Sequence, residues 1–133
     1  MPITLLIIDD STILLKTWKY ILDLDNRFRV VATCTSGEEG VQQTQRLRPD
    51  IVIMDNDMPG ISGIEATTMI CKFVPGTKVL GFSMHSEFVY ARKFLAAGAA
   101  AYVEKTASIE KMTQTLLHIH HAPVAGKEDQ KRS

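Results

Sequence analysis

An alternating α/β architecture around a parallel sheet is what this sequence predicts, and three observations carry the prediction. Short apolar runs rich in β-branched residues recur along the chain, each followed by a longer segment with helical periodicity. Most of these runs stop at a residue able to do chemistry: the first at Asp9 and Asp10, the third at Asp55, the fourth at Ser83 and the fifth at Lys105. With 133 residues, 45% hydrophobic and 23% charged, the chain has enough apolar side chains for one domain with a real core.

Taken in order, five strand and helix pairs emerge. Strands are expected near residues 3–9, 29–34, 51–55, 78–83 and 101–104, each short, apolar and buried in character. The first helix follows Ser11, an N-cap residue, and Leu14, Trp18, Ile21 and Leu22 share one face. Trp18 is therefore read as core. The second helix begins near Gly37 with Glu38 and Glu39 in its first turn, where carboxylates suit the dipole, and stops before Pro49. A third runs from about Ser62 to Phe73 and stops at Pro75-Gly76, and a fourth from about Glu87 to Ala97 ends at Gly98, a left-handed cap. The fifth is capped by Ser108, with Ile109, Met112, Leu116 and Ile119 spaced as one buried stripe, and reaches His121. Residues 122–133 lack periodicity and read as a flexible polar tail or truncated linker after a single domain at 1–121.

Composition narrows the functional classes. Lys+Arg and Asp+Glu balance at 15 each, so no global field draws the chain to nucleic acid or anionic lipid. No run approaches the length of a membrane span, and the six-residue opening stretch is too short and too acid-flanked for a signal peptide, so the cytoplasm is the expected location. Cys34 and Cys71 lack C-x-x-C spacing and read as thiols without chemistry. His118, His120 and His121, near a helix end, read as solvated side chains and not as a metal patch.

The strand ends carry the chemistry. In an open α/β sheet, ligands bind at the carboxyl edge of the strands, and that is where these residues fall. Two carboxylates about 4 Å apart repel by about 4 kcal/mol at an effective dielectric of 20, so three in one pocket call for a metal, a lysine, or both. In Met54-Asp55-Asn56-Asp57-Met58-Pro59-Gly60 the proline and glycine force a turn that leaves Asp55 facing the crevice, where it can act as a nucleophile. Ser83 in isolation is as well explained as a turn serine as an oxyanion donor, and Lys105 as a solvated lysine; Tyr102 alone reads equally as a half-buried core aromatic.

Together, Asp9-Asp10, then Asp55 followed by Met-Pro-Gly, then Ser83, then Tyr102 with Lys105 three residues on, resemble a two-component response-regulator receiver domain across about residues 3–121. The segments GFSMHSE (81–87) and AAGAAAYVEK (96–105) resemble its NarL/FixJ-type branch more than the chemotaxis regulator. The resemblance implies a flavodoxin-like (βα)5 fold with strand order 2-1-3-4-5, for which the chemotaxis receiver is a standard example. It implies that Asp55 accepts a phosphoryl group from a histidine kinase or histidine phosphotransfer protein. It further implies a Mg²⁺ (or Mn²⁺) site of Asp9, Asp10, Asp55 and the backbone carbonyl of Asp57, with Ser83 and Lys105 holding the phosphoryl oxygens. Hard oxygen ligands of this kind suit Mg²⁺, and phosphoryl transfer asks the protein mainly for alignment and charge compensation. Tyr102 resembles the aromatic switch that follows Ser83 inward, repacking the helix 4, strand 5 and helix 5 surface for a downstream protein or a second copy of the chain. On this pattern the protein catalyses only its own phosphorylation and dephosphorylation.

Three departures and two competing readings accompany the resemblance. Thr106 stands where many receivers have proline, so a cis bond after Lys105 is not assumed. Asp57 and His85 occupy positions that in the family tune the lifetime of the phosphoryl group. The spacing Asp55-x-Asp57 also copies the nucleophile and acid pair of haloacid-dehalogenase phosphatases, although that family carries it after the first strand. A pseudo-receiver acting only as an interaction module is the other alternative, and the tail is also compatible with a receiver excised from a regulator with a DNA-binding domain.

Overall fold

The computed structural model describes residues 1–85 and 88–123. Five strands, β1 (Ile3–Ile8), β2 (Phe28–Cys34), β3 (Ile51–Met54), β4 (Lys78–Ser83) and β5 (Ala101–Glu104), alternate with five helices. These are α1 (Thr12–Asp23), α2 (Gly37–Leu47), α3 (Gly63–Phe73), α4 (Phe88–Ala96) and α5 (Ile109–His121). The sheet is parallel throughout, in the order β2-β1-β3-β4-β5. Residue 87, expected to open the fourth helix, and residues 124–133 of the expected tail lie outside the described residues.

Because side chains alternate along a strand, each strand feeds two cores. Ile3, Leu5 and Ile7 of β1 face α1 and α5, meeting Leu15, Trp18, Leu22, Met112, Leu116 and Ile119. Leu6 and Ile8 face the other way, toward Val41 of α2, Ala66 and Ile70 of α3 and Phe94 of α4. All of β3 is buried, as a central strand covered on both faces must be. Burying each such aliphatic chain contributes roughly 1.5–3 kcal/mol. Trp18 is a core residue as expected, its ring edge-on to Phe82 at 5.4 Å.

Four helices start on a serine whose hydroxyl oxygen accepts an amide from the first turn: Ser11 from Leu14, Ser36 from Glu39, Ser62 from Glu65 and Ser108 from Lys111. Each such cap is worth about 1 kcal/mol. Gly98 ends α4 at φ +112°, as its position predicts. Two details of the helical stripes differ from expectation. In α1 the centre of the buried face is Leu15, with Leu14 and Ile21 only flanking the core. Ile109 is 51% exposed and not part of the α5 stripe. It is in phase with Met112 and Leu116, but it is the first residue of the helix and is not part of the core those two join.

One long-range contact is not legible from periodicity. The Lys78 ammonium, at the start of β4, donates to the carbonyls of Ile119 (2.5 Å), His120 (3.3 Å) and Ala122 (2.5 Å). A cation on the free carbonyls at a helix C-terminus satisfies both the orphaned acceptors and the dipole. Lys78→Met should therefore lower stability by about 1–2 kcal/mol and accelerate amide exchange in the last turn of α5, with Lys78→Arg retaining part of both. Urea unfolding with residue-resolved exchange measures this, and identical midpoints and exchange rates would refute the assignment.

Candidate functional site

The carboxyl ends of β1, β3, β4 and β5 place Asp9, Asp55, Ser83 and Lys105 along one edge of the sheet. Asp9 and Asp55 each stand one residue past their strand, and each is held there by backbone pairing: Asp9 N–H to Cys34 O, Asp55 N–H to Ile8 O. Lys105 is fixed in the same way, its N–H on the Ser83 carbonyl at 2.8 Å. Asp9, Asp55 and Ser83 are all buried, at 3%, 3% and 0% exposure. The Lys105–Thr106 peptide is trans, since the described residues contain no cis bond.

Charge explains why these groups tolerate burial together. The Lys105 ammonium lies 2.6 Å from Asp9 Oδ2 and 3.0 Å from Asp55 Oδ1. Asp10, exposed at the rim, brings a carboxylate oxygen to within 4.8 Å of one from Asp9 and one from Asp55. Three carboxylates against one ammonium leave the pocket with excess negative charge. Burial, and then the neighbouring Asp9, push the Asp55 carboxyl up to about 6, with Lys105 only partly offsetting them. Burial alone would lower the Lys105 ammonium, but its bonds to Asp9 and Asp55 outweigh that and hold it above the usual lysine range. Clustered hard oxygens with unbalanced negative charge fit a divalent cation such as Mg²⁺. Among the described residues, this is the one group of three or more metal-ligating side chains so arranged. His118 and His121 are exposed and form no such group.

The loop after β3 is tightly built. Asn56 O accepts the amides of Met58 and Gly63, and Asn56 Oδ1 accepts the amide of Ile64. A Cβ on Gly63 would stand 1.8 Å from the Asp55 carbonyl oxygen, so only glycine lets α3 begin this close to Asp55. Asp57 does not belong to the three-acid group, and its Oδ2 meets His85 Nε2 at 2.7 Å. The His85 ring stacks on Tyr90 of α4 at 3.8 Å between centroids, 10° from parallel.

His85 also joins the two remaining residues. Its N–H donates to Ser83 Oγ at 3.3 Å, and its carbonyl accepts the Tyr102 hydroxyl. Tyr102 packs tilted on Phe94, at 5.6 Å. The roles of Asn56, Gly63 and Tyr90 escape sequence reasoning. A glycine directly after a capping serine is the one signal the residues offer, since it is a poor first helical residue unless something must approach it closely.

Known proteins resemble this chain in sequence and in fold. The family model described as "Response regulator receiver domain" matches residues 5–117. The chain is 36% identical over 116 residues to the response regulator GacA of Pseudomonas viridiflava, covering 86% of this chain and 53% of that protein. It is 32% identical over 114 residues to the transcriptional regulatory protein DegU of Brevibacillus brevis, covering 86% and 48%. It thus spans about half the length of these curated relatives. Among solved structures, a LuxR-family two-component response regulator from Aurantimonas sp. SI85-9A1 matches with a TM-score of 0.86 at 29% identity, covering 90% of this chain and 86% of that one. The CheX-CheY-BeF3-Mg+2 complex from Borrelia burgdorferi matches with a TM-score of 0.86 at 26% identity, covering 92% of each chain.

The displaced carboxyl has a measurable consequence. Without metal, Asp55 takes up its proton near pH 6 in the folded state but near 3.8 unfolded, so the folded state holds more protons between these values. Stability therefore falls as pH rises through that window and stays reduced above it. Asp55→Asn, in EDTA at pH 8, should be more stable than the wild type by on the order of 2–3 kcal/mol, and the gap should close as pH falls from 7 to 4. Denaturant titrations across pH test this, and a gap independent of pH would exclude Asp55 ionisation as its origin.

Proposed function

The chain belongs to the response regulator receiver family, and we propose that it accepts a phosphoryl group on Asp55 from a histidine kinase or histidine phosphotransfer protein in the cytoplasm. The observation that carries this reading is the buried Asp55 carboxylate between Asp9 and Lys105, with Asp10 at the rim. Residues 1–121 form the receiver unit in this reading.

Chemically, an Asp55 oxygen attacks the phosphorus, the bond from phosphorus to the donor nitrogen breaks, and the nitrogen keeps the electron pair and takes a proton. The product is an aspartyl phosphate. Asp55 must be ionised to attack, and Lys105 both favours that state and offers its ammonium to the phosphoryl oxygens. Ser83 adds a hydroxyl that donates to the same oxygens. Asp9, Asp10, Asp55 and the carbonyl of Asp57 hold Mg²⁺ (or Mn²⁺), which when bound supplies charge neutralisation that the single lysine leaves incomplete.

Switching follows from His85. When the Ser83 hydroxyl turns to the phosphoryl group, its contact with the His85 amide changes, and the His85 carbonyl is where Tyr102 rests. The surface of α4, β5 and α5 is then altered for a downstream protein or a second copy of the chain. Asp57 and His85, bridged beside Asp55, restrict the approach of water and tune the lifetime of the product. The reaction is self-catalysed and stoichiometric. Family membership argues against the haloacid-dehalogenase reading, and Asp57 engages His85 where that reading needs a free acid.

Two outcomes test the proposal. Acetyl phosphate with Mg²⁺ should add one phosphoryl group by intact-mass analysis, and Asp55→Asn or EDTA should abolish the gain; an unmodified wild type would overturn the assignment. His85→Ala should shorten the phosphoryl lifetime several-fold without preventing phosphorylation, and an unchanged decay rate would remove His85 and its bridge from the mechanism.

A further inference from the structure

The loop that follows Asp55 is supported from two sides, and only one of them belongs to the strand and helix it connects. On the α3 side, Asn56 takes the amides of Met58, Gly63 and Ile64. On the other side, 23 residues earlier in sequence, Glu38 in the first turn of α2 reaches across and accepts the Ile61 amide on Oε1 at 3.1 Å. The same carboxylate lies against Gly60, which has φ +81°; a Cβ there would fall 2.4 Å from Glu38 Oε2 and 2.8 Å from Oε1. The turn at Gly60-Ile61 is thus shaped around the Glu38 carboxylate. Asp57 lies between the two supports, in the span from Asn56 to Ile61.

We propose that Glu38 is a positioning residue for the metal site: by holding the Gly60-Ile61 turn, it sets the backbone carbonyl of Asp57 as an oxygen ligand. The inference rests on the reading of Asp9, Asp10, Asp55 and the Asp57 carbonyl as the Mg²⁺ site. Ile61 amide, Glu38 and α2 form a path from the body of the domain to a ligand supplied by a loop, and such outer supports commonly change metal affinity by about 10- to 100-fold when removed. Among the described residues Glu38 is not one of the three clustered acids, and it acts through the turn it holds. The charge of Glu38 is not required, because an amide oxygen at the same place accepts the same hydrogen bond.

The test is Mg²⁺ binding by calorimetry on the full chain, with amide exchange at Ile61 as a second readout. Glu38→Ala should weaken Mg²⁺ about tenfold and expose the Ile61 amide to faster exchange, while Glu38→Gln should keep both within about threefold of the wild type. In phosphorylation by acetyl phosphate, Glu38→Ala should raise the Mg²⁺ concentration for half-maximal rate, and Glu38→Gln should restore it. Gly60→Ala, which must displace the carboxylate from the other side, should reproduce the loss. Wild-type Mg²⁺ affinity in Glu38→Ala overturns this inference alone. Absence of Mg²⁺ binding in the wild type, or affinity untouched by Asp9→Asn, overturns the metal-site reading and the inference with it.

Discussion

A single buried ammonium shared between two buried carboxylates is the constraint on which the rest of the site depends. Lys105 lies within ion-pair distance of both Asp9 and Asp55, which come from β1 and β3, while the lysine itself follows β5. Without that cation, two acids at 3% exposure would repel in a medium that screens them poorly. With it, the pocket still carries more negative than positive charge, because Asp10 adds a third carboxylate. The pocket is therefore incompletely neutralised by its own residues. It has capacity for further positive charge, and it keeps Asp55 from being locked into a closed ion pair.

The sheet makes such crowding structurally tolerable. Asp9, Asp55 and Lys105 are each tied through the backbone amide to the carbonyl of a buried residue ending the neighbouring strand, Cys34, Ile8 and Ser83 respectively, so the charged side chains inherit the rigidity of the core. The two cores divide the helices unevenly, α1 and α5 on one face and α2, α3 and α4 on the other. Loops leading to both sets of helices meet around Asp55: Asp9 and Asp10 precede α1, Lys105 precedes α5, and the loop after β3 leads to α3. Gly63 lets α3 begin against the Asp55 carbonyl, and His85 ties Asp57, Ser83, Tyr90 and Tyr102 together at one residue. A change at Ser83 is thereby two hydrogen bonds, both made by the His85 backbone, from the Tyr102 hydroxyl.

Much of this is legible in the residues. Strand and helix positions follow from apolar runs and their spacing, and the serine caps and Gly98 mark boundaries because their chemistry is local. Asp9, Asp10, Asp55, Ser83 and Lys105 stand out because a polar residue that closes a buried apolar strand is carried by that strand to the ligand-binding edge of the sheet. What stays hidden is long-range. Glu38 looks like an ordinary first-turn acid, Lys78 like an ordinary strand start, and Asp57 like a further charge beside the cluster, because each is defined by a partner 23, 41 to 44 or 28 residues away. Ile109 fails as a core residue for a related reason: helical phase predicts a direction, while burial needs something to be there.

The sequence by itself determined the sheet class, the succession of strands and helices along the chain, and the residues that end up at the carboxyl edge, because periodicity and capping act over a few residues. The spatial order of the strands and the site residues' roles came with the family pattern, since alternation alone does not specify which strand lies beside which. Only the tertiary structure decided that Lys105 bridges two acids, that Asp57 meets His85 and does not belong to the three-acid group, and that α2 reaches the loop after β3. These depend on distances across the fold, and such distances are set by the packing of two cores against one twisted sheet, which no local pattern encodes.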